Sequence, residues 1–180
     1  MRRMEVDKLG IDLITQDPVV ILKDIESKKY LPIIIGPFEA TAIALALEGT
    51  PVPRPLTHDL MKNIINVLGA KVSKIVIYDI KDNTFLATIY IHINGEEKEI
   101  DSRPSDSIAL ALRTNSPIFV SDKIVLEGDS IQESGHSSKP SGQSLIPPKE
   151  DLKHKEFRKF LDNLKPSDFK DDLGDGNKDS

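Results

Sequence analysis

Residues 85–101 constrain the fold more tightly than any other stretch. Phe85, Ala87, Ile89, Ile91 and Ile93 alternate with Leu86, Thr88, Tyr90 and His92. A period of two places one set on each face of a strand. Asn94-Gly95 follows, and both residues accept the positive φ of a type I′ turn. Glu96 to Asp101 then returns as a second strand, whose many charges mark it as a sheet edge. A chain that builds this hairpin needs further strands beside it and a layer to cover its apolar face.

The remaining sequence supplies both. Residues 4–14, Val19 to Leu22 and Tyr30 to Ile35 read as an opening set of three antiparallel strands, separated by Gln16-Asp17-Pro18 and Glu26 to Lys29. Val72 to Ile80 reads as the strand before the hairpin. Pro117 to Val120 reads as a last core strand, continued by Ile124-Val125-Leu126. Gly36-Pro37 starts a helix that is apolar on nearly all sides from Phe38 to Leu47, which predicts deep burial. A second helix, Pro55 to Leu68, carries Leu60, Met61, Ile64, Ile65 and Leu68 at helical spacing, with Lys62, Asn63 and Asn66 on the other face. A third runs from Pro104 to Arg113. The expected class is α/β of the α+β type: a mixed, mainly antiparallel sheet with three buried or half-buried helices.

Ile43-Ala44-Leu45-Ala46-Leu47 recurs as Ile108-Ala109-Leu110-Ala111-Leu112, each copy following a proline and an acid. Convergence of buried helices on Ala and Leu explains this as readily as duplication. Duplication predicts that the two helices pack in related positions. The domain so read covers residues 1–126. Residues 127–148 are rich in Ser, Gly and Pro and read as a flexible linker. Residues 149–165 place Leu152, Phe157, Phe160, Leu161 and Leu164 on a short amphipathic helix, and 166–180 read as a disordered polar tail.

Composition excludes several chemistries. The 180 residues include no cysteine, so disulfides, thiolate nucleophiles and cysteine metal sites are absent. The net charge of −5 and pI near 5.4 argue against bulk electrostatic capture of nucleic acid. No apolar run has the length of a membrane span, and Met1 to Glu5 lacks the apolar stretch of a secretory signal, so the expected compartment is the cytoplasm. There is no Gly-rich phosphate loop, Ser-His-Asp pattern or zinc-spaced His pair. His92, His136 and His154 read as solvated or structural.

Three polar clusters interrupt the apolar elements. Glu39 sits on the first turn of the first helix, where an acid favours free N–H groups and the helix dipole. Arg54-Pro55-Leu56-Thr57-His58-Asp59 opens the second helix. Thr57 suits the cap and Asp59 the first turn, but capping explains neither Arg54 nor His58, a residue able to move protons near neutral pH. Asp101-Ser102-Arg103-Pro104-Ser105-Asp106 spans a strand end and a helix start. Such a junction aims N–H groups outward and makes an anion site. Arg103 there can clamp a phosphate. Asp101 and Asp106 are candidate ligands for Mg2+ or Mn2+.

At these clusters the chain resembles the bifunctional nuclease family. The resemblance runs through Leu31-Pro32-Ile33-Ile34-Ile35-Gly36 with Glu39-Ala40, through Arg54 to Leu60, through Asp82-Asn83-Thr84-Phe85 with Ala87-Thr88, through Ile100 to Ala111, and through Pro117-Ile118-Phe119-Val120. It spans residues 4–126 in order, and residues 149–165 resemble the C-terminal helix of bacterial members. It implies a compact α/β fold, homo-oligomers with a dimer favoured, and activity on both DNA and RNA.

Two readings follow. In the first, the chain hydrolyses phosphodiester bonds: Asp101 and Asp106, joined by Glu39 or Asp59, hold a divalent metal, Arg54, Arg103, Ser102 and Ser105 bind phosphate, and His58 moves a proton. In the second, the same charges are a structural network in a module that binds an anion or a partner. The first requires the clusters to meet in one open hollow. An Arg103–Asp106 pair sealed in a closed interior would favour the second.

Overall fold

A computed structural model describes residues 1–12, 15–27 and 29–127. The elements run β1 (Arg2–Ile11), β2 (Pro18–Asp24), β3 (Tyr30–Ile34), α1 (Pro37–Glu48), α2 (Thr57–Val67), β4 (Lys71–Lys81), β5 (Thr84–Ile93), β6 (Glu96–Ser102), α3 (Pro104–Thr114), β7 (Ile118–Val120) and α4 (Asp122–Glu127). The expected linker, C-terminal helix and tail lie outside the described residues.

The strands form one open sheet of seven, in the order β3-β2-β1-β7-β4-β5-β6. Every pairing is antiparallel except that of β4 with β7. The predicted hairpin is present: β5 pairs β6, and Asn94 and Gly95 take φ of 52° and 83°. The charged β6 is one edge, as its composition implied. The other edge is β3, where Pro32 costs no ladder bond if its missing N–H faces outward.

The chain repeats one plan. Three strands form a meander, and a helix with proline at its start follows the outer strand: β1-β2-β3-α1, then β4-β5-β6-α3. Both helices end in a left-handed residue, Gly49 and Asn115. They pack on each other. The recurring Ile-Ala-Leu-Ala-Leu therefore occupies related places in two equivalent units.

Val20, Leu22, Ile75, Ile77, Val120, Ile43, Ile108 and Leu110 are fully or almost fully buried where α1 and α3 meet the sheet. Burying each such side chain contributes about 2 kcal/mol. Two expectations need correction. The first helix is buried on one side only, through Ala40, Ile43 and Ala44, while Phe38 and Leu47 remain exposed. Ile124 and Val125 belong to a helix and do not extend β7. Their N–H groups both bond the Ser121 carbonyl, which turns the chain, and their side chains are buried.

Asp24 ties the ends of the first meander. It is 2% exposed, accepts from Arg2 Nη1 at 2.9 Å, and also takes the Glu26 N–H and the Ser27 hydroxyl. Burial opposes its charge, but these bonds outweigh burial and hold its pKa below the usual carboxylate value. Asp24→Ala is expected to lower stability by about 2 kcal/mol in urea denaturation, because Arg2 Nη1, the Glu26 N–H and the Ser27 hydroxyl lose their acceptor while Arg2 keeps Asp122.

Candidate active site

The starts of three helices meet at one place. Glu39 lies on the first turn of α1, His58 and Asp59 on that of α2, and Asp106 on that of α3. Arg103, the residue before α3, joins them. Its Nε donates to Asp106 Oδ2 at 2.6 Å and its Nη1 to Glu39 Oε1 at 2.8 Å. The other Asp106 oxygen, Oδ1, lies 3.1 Å from His58 Nε2. Helix starts carry partial positive charge, so this convergence favours anions.

The arrangement is graded in exposure. The Arg103 side chain is 65% exposed, Asp106 25%, Glu39 17% and His58 9%. Arg103 and Asp106 do pair, but at an open surface. A pair that exposed stabilises the fold by at most about 1 kcal/mol. The guanidinium can therefore turn toward an incoming anion at little cost, and its Nη2 makes no hydrogen bond among the described residues.

Charge states follow from the contacts. Burial raises the Asp106 pKa, but hydrogen bonds from Arg103 and His58 outweigh it and hold the group below its usual value. Asp106 is thus a carboxylate, and the imidazole proton belongs on Nε2 facing it. With the proton on Nε2, His58 Nδ1, which makes no hydrogen bond among the described residues, is the acceptor nitrogen of the neutral ring. The Arg103 pKa is raised, first by its hydrogen bond to Asp106.

Local sequence explains how these groups are held. A Cβ on Gly36 would lie 2.2 Å from Glu39 Oε2, so glycine leaves the room into which the Glu39 carboxylate folds. Ser107 donates to the Arg103 carbonyl at 3.0 Å and also contacts the Ser102 hydroxyl. Those two serines lock the turn from β6 into α3.

The other expected residues have different places. Ser102 is turned inward on the Ser107 and Ala87 contacts, and Ser105 is buried, so neither is presented to a phosphate. Asp101 precedes Ser102 in β6, and successive strand residues point to opposite faces. Asp101 and Asp106 are therefore not brought together. Arg54 is exposed and forms no ion pair among the described residues. Thr57 does not cap α2. Leu56 is the cap residue, and Asp59 Oδ2 accepts its N–H at 3.0 Å.

Sequence reasoning missed Arg113. This side chain, 7% exposed, donates from Nε to Asp59 Oδ1 at 2.7 Å and from Nη1 to the Ala42 and Ala109 carbonyls. It binds α1, α2 and α3 together and fixes the turn that carries His58. The available signal was an arginine on a helix otherwise composed for burial.

The model of the bifunctional nuclease domain family matches residues 20–133, well over half of the chain. The chain belongs to the bifunctional nuclease domain family. Within it, an uncharacterized protein of Mycobacterium tuberculosis is 34% identical over 170 residues, covering 94% of this chain and 99% of that protein. Bifunctional nuclease 1 of Oryza sativa subsp. indica is 28% identical over 109 residues, 59% of this chain and 33% of its own. Bifunctional nuclease 1 of Arabidopsis thaliana is 26% identical over 132 residues, 71% of this chain and 41% of its own. These plant nucleases thus share with this family member a domain that is a minority of their length. Among the described residues, no helix is long and apolar enough to cross a membrane.

Two outcomes are expected. Asp106 has a depressed pKa, so its stabilisation is present above the usual carboxylate range and is lost as pH falls from about 4 through its folded value. Asp106→Asn should flatten that part of the stability–pH curve in chemical denaturation. Arg113→Ala should cost about 3 kcal/mol in the same measurement, since Asp59 and two carbonyls lose their partner.

Proposed function

We propose that this chain is a nuclease that hydrolyses phosphodiester bonds of DNA and RNA, acting as a homo-oligomer. One observation carries the reading: an exposed arginine, preset by two carboxylates, stands beside a histidine oriented by one of them, at the meeting of three helix starts. Arg103 binds the non-bridging oxygens and offsets their charge as the phosphorus becomes five-coordinate. His58 Nδ1 takes the proton of the attacking water while Asp106 stabilises the imidazolium. The new bond joins the water oxygen to phosphorus, the bond to the leaving oxygen breaks, and that oxygen takes a proton from solvent while the His58 imidazolium returns its own to water. Membership of the nuclease domain family supports the substrate class.

Mg2+ or Mn2+ was expected on Asp101 and Asp106. Strand alternation puts Asp101 on the sheet face opposite Ser102, and the Asp106 oxygens already serve Arg103 and His58. The donor set does not fit a protein cage for either ion, so no step is assigned to one. A non-enzymatic anion-binding role is favoured by one fact, that both Glu39 and Asp106 are already paired with a cation.

An assay on single-stranded DNA and RNA, with Mg2+, with Mn2+ and with chelator, decides between them. Arg103→Ala and His58→Ala should each lower kcat/KM about 100-fold or more. Asp101→Ala should stay within about twofold of wild type, because losses of that size need contact with the reacting groups. Equal activity in wild type and His58→Ala would assign the cleavage to a contaminant and leave the anion-binding role.

A further inference from the structure

The first turn of α1 carries an aromatic side chain that helix capping does not require. Phe38 follows the helix-starting Pro37 and is 57% exposed. Apolar packing at a helix start joins the residue just before the cap to the fourth helical residue. In α1 those positions are Ile35 and Ala40, and both are buried. Phe38 lies between them in sequence, yet more than half of it faces water.

The second repeat unit supplies an internal control. Its helix start reads Arg103-Pro104-Ser105-Asp106 where the first reads Gly36-Pro37-Phe38-Glu39. Each is a cap residue, a proline, one further residue and an acid. Arg103 and the room left by Gly36 serve the site, and both acids pair with that arginine. At the remaining position the second unit has Ser105, which is 7% exposed. The shared plan therefore needs no aromatic there. A chain with six Phe, three Tyr and no Trp nonetheless sets one ring in water beside Glu39.

Its place suggests the reason. Neighbouring Cα atoms are about 3.8 Å apart, and Glu39 Oε1 accepts from Arg103 Nη1 at 2.8 Å. A ring on that turn is within one nucleotide of the guanidinium. A nucleic-acid strand presents two surfaces, charged phosphates and flat apolar bases. Arg103 and the helix starts suit the first. The net charge of −5 gives little long-range pull on phosphate, so affinity has to come from short-range contact. An exposed aromatic ring provides it for any base, because every base has a π-face.

We infer that Phe38 stacks on an unpaired base of the bound strand, next to the phosphate that Arg103 holds. The inference rests on the nuclease reading and deepens it: the preferred substrate has an unstacked base at that point. Neighbours cover both faces of a base inside a duplex, so the ring favours single-stranded DNA and RNA. It reads no sequence, since stacking is tolerant of base identity.

Equilibrium binding separates this contact from cleavage. The parent is the full chain carrying His58→Ala, titrated by fluorescence anisotropy onto a short labelled oligothymidylate and onto the same sugar–phosphate strand without bases. Adding Phe38→Ala should weaken oligothymidylate binding about tenfold, the size of one base–aromatic stack. Phe38→Trp should stay within about twofold of the parent, whereas Phe38→Leu, apolar but without a π-face, should match the alanine variant. The strand without bases should bind the parent and Phe38→Ala alike, because base and ring belong to one contact. Leu47→Ala, exposed at the far end of the same helix, should change neither affinity. Unchanged oligothymidylate binding in Phe38→Ala, or an equal loss on the strand without bases, overturns the inference and leaves the nuclease reading standing. If the parent binds neither strand the inference also falls, and cleavage by wild type then decides whether the nuclease reading falls with it.

Discussion

The Asp106 carboxylate is the junction on which the site depends. One oxygen orients His58 of α2, and the other holds Arg103, which in turn reaches Glu39 of α1. Removing the carboxylate would leave an imidazole and a guanidinium without their common partner. It would also leave three like partial charges, the helix starts, facing one another. The acids on the first turns offset that repulsion. The geometry needed to hold three helix ends together is the same geometry that aims cationic and proton-accepting groups at one point.

The repeated unit explains why this point exists. Each meander delivers a helix from its outer strand, and α1 and α3 converge above the middle of the sheet. The acids they carry, Glu39 and Asp106, therefore approach the same arginine. Only the second unit supplies that arginine, as the residue preceding its helix, where the first has Gly36. Glycine and arginine are complementary there: the missing side chain admits the Glu39 carboxylate, and the long one crosses to meet it.

Much of this was legible locally. The period-2 run, the Asn94-Gly95 turn, the three opening strands and the helix-starting prolines are short-range signals, and the structure follows them. The acids and His58 stood out because capping alone did not account for the whole set. What stayed hidden depends on partners far along the chain. Asp101 and Ser102 differ by one residue yet face opposite ways, a matter of register. Arg113 gains its role from Asp59, and nothing near it in sequence says so. Helix α2 shows the limit most clearly. Hydrophobic spacing found the helix but could not say which way its face points: Leu60, Ile64 and Leu68 are exposed, and the helix is held through His58 to Asp106 and Asp59 to Arg113. Ile124 and Val125 look like strand residues, but the Ser121 carbonyl captures both of their N–H groups.

The three residues of β7 have an outsize part in assembly. Within the sheet, and among the described residues, they alone join the meanders, pairing Arg2 to Met4 on one side and Ile75 to Ile77 on the other. Each meander can form from neighbouring sequence, but the seam needs Ile118 to Val120, which the ribosome makes after every other strand of the described residues. Two half-sheets thus stay separable until that strand emerges, and they fuse around it as a wedge between their inner edges.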